Sequence, residues 1–186
     1  RELSDETNEF FQFMLKHELM DLKSKEGKMA GGYAAILGKY KYPFIFSNFN
    51  GTAHDVDVLT HEAGHTFQFF RSMSQPIPEY YFPTYEAAEI HSMSMEFFAY
   101  PWMNSFFQED EEKYKFSHLS GSISFLPYGA AIDEFQHFVY ENPDISIEER
   151  NKGWLEIEKK YDLSADKDNN RYLNSGRFWQ KQGHLF

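Results

Sequence analysis

Residues 55–72 read DVDVLTHEAGHTFQFFRS. Asp55 and Asp57 stand where carboxylates favour the first turn of a helix. Val58, Leu59, Phe67 and Phe70 supply a packing face. The spacing predicts a helix from Asp55, or slightly earlier at Thr52, to about Ser72, since Pro76 and Pro78 forbid a long continuation. Inside it lies His61-Glu62-Ala63-Gly64-His65, an H-E-x-x-H. On a helix, His61 and His65 are one turn apart and share a face, so two imidazoles reach one metal ion. Glu62 points toward the same sphere, where it can take a proton from a metal-bound water and deliver it to a leaving amine. Random placement of the residues would give such a motif roughly 0.035 times in a chain of this composition. Gly64 is a poor helix former, and its use here points to close approach by backbone or substrate.

The chain has no Cys, so the third donor of a zinc site has to be His, Asp or Glu. Thr84 opens a second predicted helix that runs to about Ala99, before Pro101. Glu89, Met93 and Glu96 lie on one stripe of it. Glu89 is the first candidate ligand, with Glu86 and His91 as weaker alternatives. Glu96, two turns on, is a candidate acceptor for the N–H of a ligand histidine. Asp57, one turn before His61, competes for that role or serves the helix dipole. His54 falls near the site, whereas His17, His118 and His137 read as structural or exposed.

Working outward, Phe11, Leu15, Leu19 and Leu22, with Phe10 and Met14 beside them, predict an amphipathic helix over 8–22, with Gly27 as a stop. Gly31-Gly32 suits a turn or a loop close to substrate, and Tyr33 to Tyr42 stays ambiguous. Phe44–Phe49 reads as a strand, and Pro43 at its start suits a sheet edge. Such an edge could pair with an extended substrate by strand addition. Further helices are predicted over about 110–120, from Pro127 to Asn142, and over 146–161, the last opened by a capping box of Ser146 and Glu149. Phe97, Phe98, Trp102 and Phe106 read as core, or as surface bared by missing parts. The fold class is mainly α with a small β-sheet.

At 186 residues the chain fits one domain over 1–186 with a real core. Its net charge of −11 argues against nucleic acid as the main partner. Aromatics at 19 % exclude a disordered chain. No run approaches the ~18 apolar residues of a membrane span, and Arg1-Glu2-Leu3-Ser4 opens no signal sequence. A cytoplasmic location is the default. A chain that starts at Arg rather than Met also reads as processed or cut from something longer.

The strings GGYAAIL, PFIFSNFNGTAHDVDVLTHEAGH, EAAEIHSMSMEFF, LPYGAAIDEFQHFVYENP and RFWQKQGHLF resemble the catalytic domain of the oligoendopeptidase F family. That family sits among the thimet-type oligopeptidases in the wider zincin class. The resemblance implies a zincin-like core and a zinc-dependent endopeptidase acting on short peptides. It implies one Zn2+ per chain held by His61, His65 and Glu89, with Glu62 as general base. Family members continue past the H-[IL]-F segment into a tyrosine-rich stretch whose hydroxyls, with a nearby His, stabilise the oxyanion. The resemblance makes His184 the candidate for that histidine, and the chain stops just after it. The expected partners are short peptides and the remaining segments of a longer enzyme, with neither nucleic acid nor membrane. The alternative expectation is a zinc-binding core with little or no activity of its own, lacking the oxyanion tyrosines.

Overall fold

The computed structural model describes residues 2–163 and 170–181. Helix α1 spans Asp5–Lys16, opened by a reciprocal capping box between Ser4 and Thr7. It is shorter than the apolar spacing suggests. His17 caps it, Glu18 turns left-handed at φ 54°, and the Leu19 amide folds back to the Met14 carbonyl at 3.0 Å. Leu19 is still buried, but through this turn and not along the helix. The buried stripe is Phe10 and Met14, while Phe11 and Leu15 face solvent.

Three strands follow: β1 at Met20–Asp21, β2 at Gly32–Leu37 and β3 at Tyr42–Ser47, in the order β1-β3-β2. β3 pairs parallel with β1 and antiparallel with β2. The strand expected at Phe44–Phe49 is therefore central, not an edge, and its backbone is not free for a substrate. The Ile45 amide bonds the Leu19 carbonyl at 3.0 Å, so alternate residues, Pro43 included, turn their amide positions toward β1. β1 begins opposite Ile45, so the missing Pro43 N–H costs the ladder nothing. By the same alternation, Gly32, Ala34 and Ile36 turn their backbone groups away from β3, along the edge of β2 that no strand pairs among the described residues.

Helix α2, His54–Ser72, packs behind the sheet. Gly32 permits the approach, since a Cβ there would sit 2.5 Å from Val58 Cγ1. Phe10, Met14, Leu19 and Ile45 form the buried core here, with Phe67 and Phe70 of α2 packed against it. Helix α3 is Tyr85–Phe98, and short α4 is Asn104–Phe107. Thr84 precedes α3 in extended conformation without a side-chain cap bond.

Helix α5 runs unbroken from Glu111 to Glu141, through Pro127. The two helices expected on either side of that proline are one. Proline leaves the Ile123 carbonyl without its i+4 donor; residues 123–127 are exposed, so water can serve that carbonyl. Helix α6, Ile147–Lys160, carries the Ser146–Glu149 capping box, and α7 is Arg171–Asn174.

The chain divides into two compact units, 1–115 and 116–186. The second has its own core of Ala131, Ile132, Phe135, Trp154 and Ile157. Among the described residues, no helix is long and apolar enough to cross a membrane.

Candidate metal centre

Helix periodicity puts His61 and His65 on one face of α2, their ring centroids 4.9 Å apart. Helix α3 crosses α2 beside them. The crossing is close because residue 64 is glycine: a Cβ there would lie 2.6 Å from Ser92 Cα and collide with the His91 carbonyl oxygen. Gly64 thus serves the approach of a backbone, that of α3. The close crossing brings Glu89 Oε2 to 3.1 Å from His61 Nε2 and 3.4 Å from His65 Nε2.

One ligand atom from each of His61, His65 and Glu89 lies within 4.8 Å of the other two. A tetrahedral ion at about 2.0–2.1 Å from each donor needs donor–donor separations of roughly 3.3–3.4 Å. The residues present therefore fit a divalent cation with two imidazoles and one carboxylate. His91 is not part of this cluster; it lines a groove with Gly64, Phe67 and Ile90. The Glu86 side chain and His184 lie outside the described residues.

Two further groups hold the donors. His61 Nδ1 is 2.6 Å from Glu96 Oε1; the ring N–H donates there, which turns Nε2 toward Glu89 and the cluster. Ser92 Oγ donates to Glu89 Oε2 at 2.6 Å. Glu96 was legible from its place two turns beyond Glu89. Ser92, one turn from Glu89 and fully buried, carried the same helical signal and was not singled out. Asp57 does not reach His61. It accepts from the Tyr114 hydroxyl at 2.6 Å and faces exposed His54 at 3.7 Å. Nothing local in the sequence announces Tyr114, which lies on α5.

Electrostatics follow from this crowding. Glu62 is buried beside the cluster, and burial pushes its carboxyl up from 4.5; the His61 and His65 charges and the Ala34 backbone pull the other way. Burial opposes charge on His61, but hydrogen bonds to Glu89 and Glu96 outweigh it and push the imidazole up to about 10. The same two histidines hold the Glu89 carboxyl well below its usual range. The arrangement can bind a cation and, through Glu62, accept and return a proton next to it.

The sequence profile of peptidase family M3 matches residues 3–186. A structure described as an oligoendopeptidase F superposes with a TM-score of 0.90 at 60 % identity, covering 99 % of this chain and 33 % of that one. PZ peptidase A with an inhibitor gives a TM-score of 0.90 at 61 % identity, again over 99 % and 33 %. An oligoendopeptidase F homolog of Borreliella burgdorferi is 26 % identical over 132 residues, 69 % of this chain and 22 % of that protein. The chain thus spans about a third of the solved relatives and about a fifth of the curated one.

Proposed function

Because the chain belongs to peptidase family M3, we propose that it carries the catalytic core of a zinc-dependent endopeptidase acting on short oligopeptides. The observation that carries this reading is the convergence of His61, His65 and Glu89 within 4.8 Å, with buried Glu62 alongside. A zinc ion held by those three donors would supply Lewis-acid polarisation of a peptide carbonyl and a water of pKa near about 7.

The remaining steps belong to the chain's own residues. Glu62 takes a proton as water oxygen bonds to the scissile carbonyl carbon, then passes it to the departing nitrogen as the C–N bond breaks. Burial raises the Glu62 carboxyl, which suits a group that must both accept and donate. Glu96 keeps the His61 ring oriented, and Ser92 does the same for Glu89. An extended peptide added to the unpaired edge of β2 would run beside Glu62, whose carboxylate interacts with the Ala34 backbone. His184 is retained as the oxyanion-side candidate on its place in the sequence alone. The span of only 33 % of the solved relatives favours a second reading for the chain by itself: zinc binding with little turnover.

The test is Glu62→Gln in the full-length protein. Zinc content stays at about one ion per chain, while cleavage of a fluorogenic peptide falls by ~10²-fold or more. A wild-type rate overturns the base assignment. Wild-type protein that binds no zinc overturns the metal centre.

A further inference from the structure

The side of the α2–α3 pair away from the histidines is a groove of about 690 Å³. Its floor includes Gly64 and Phe67, and its walls include Leu3, Ile90, Met95 and Phe98. A second hollow of about 500 Å³ shares Leu3, Thr7 and Met95 with it and extends past Phe10 and Phe11 toward Trp102. Apolar side chains stand open along this face: Ile90 is 62 % and Phe98 57 % exposed, with exposed Phe11 of α1 lining the second hollow. Isolated exposed apolar residues are ordinary, but a continuous lined groove marks an interface. Polar groups stand among the apolar ones, among them Ser4, Thr7 and exposed Arg71.

We propose that this groove is the seat of an amphipathic helix from the part of the polypeptide that lies outside this region in the longer relatives. Those relatives match 99 % of this chain at 60–61 % identity, yet two thirds of each lies elsewhere. A segment of the same polypeptide acts at high effective concentration and needs little intrinsic affinity. A second copy of this chain is the poorer occupant, since it would bring another net charge of −11 to the contact. The chemistry of the seat fixes the occupant: an apolar stripe at helical spacing for Leu3, Ile90, Met95 and Phe98. Seated there, the helix backs Gly64, between the two histidines of α2, and keeps water from the rear of the crossing that carries them. The proposal stands whether or not the metal centre hydrolyses peptides.

The absence of Cys in these residues makes a thiol probe clean. Ile90→Cys is introduced into the full-length protein, and its reaction with Ellman's reagent is timed in native buffer and in urea, with the unsubstituted protein as background. The expected native rate is at least ~10-fold below the unfolded rate, at every protein concentration. A native rate within that factor means an open groove and overturns the proposal. Protection that disappears on dilution means a second copy in the groove and overturns it equally. Phe98→Cys reads the other end of the groove by the same criteria, should Ile90→Cys not yield folded protein.

Discussion

Glu89 Oε2 faces both imidazoles and the Ser92 hydroxyl, and its ionisation is tied to that of His61. Hydrogen bonds to Glu89 and Glu96 push the His61 imidazole up to about 10 from an ordinary 6.5. A raised histidine contributes stability in full below 6.5 and loses it as pH climbs through the folded value. Glu89 is depressed from 4.5, so its contribution is present above 4.5 and lost as acid protonates it. Both are therefore in place between 4.5 and 6.5. With metal chelated, the Tm difference between wild type and Glu89→Gln is expected to be largest in that window and to shrink toward pH 10. A difference that grows steadily from pH 6.5 to 10 contradicts the pairing. At this scale the sequence was most informative where helix spacing decides geometry: His61 with His65, and Glu89 with Glu96. It was silent on Tyr114, whose bond to Asp57 spans 57 positions and leaves no local pattern.

Among elements, the α2–α3 crossing sets the candidate metal centre, because each helix carries part of the proposed donor set. Alanine at 64 would improve helix propensity by ~1 kcal/mol. Its Cβ, however, would meet the backbone of His91 and Ser92, which cannot swing aside as a side chain can. Overpacking of this kind costs ~1–3 kcal/mol, so the helices must part and Glu89 must recede from the histidines. Gly64→Ala is expected to lower Tm and to weaken zinc affinity by ~10-fold or more, read by competition with a chelating dye. An unchanged affinity would mean that the crossing does not position the ligands. Helix α2 itself was legible to within a residue, since acidic residues, apolar spacing and downstream prolines agree there. Elements whose limits depend on distant partners were not. β3 is central because β1 arrives from a turn that the apolar spacing of Leu19 and Leu22 disguised as helix. Pro127 ends no helix because its neighbours lie open to water.

At the scale of the whole molecule, each of the two units has a core of its own among the described residues. Phe10, Met14, Leu19 and Ile45 are buried in the first unit, and Phe135 and Trp154 in the second. The seam between residues 115 and 116 falls inside a continuous helix. No linker, glycine run or change of composition marks it, and so nothing in the sequence points to it. All three donors of the candidate centre belong to the first unit, as do Glu62, Ser92 and Glu96. Trp154 is 0 % exposed and meets Phe135 edge-on at 5.2 Å. Truncating it leaves a cavity that the surrounding helices fill only in part, at a cost of ~3–5 kcal/mol. Trp154→Ala should therefore lower the melting temperature of the second unit, followed by hydrogen exchange of α6 amides. Zinc affinity, measured well below that transition, is expected to stay within ~2-fold of wild type, because the candidate donors and their hydrogen-bond partners Ser92 and Glu96 belong to the first unit and Trp154 to the second. Loss of zinc binding in step with the exchange of α6 would show instead that the two cores fold as one cooperative unit through α5.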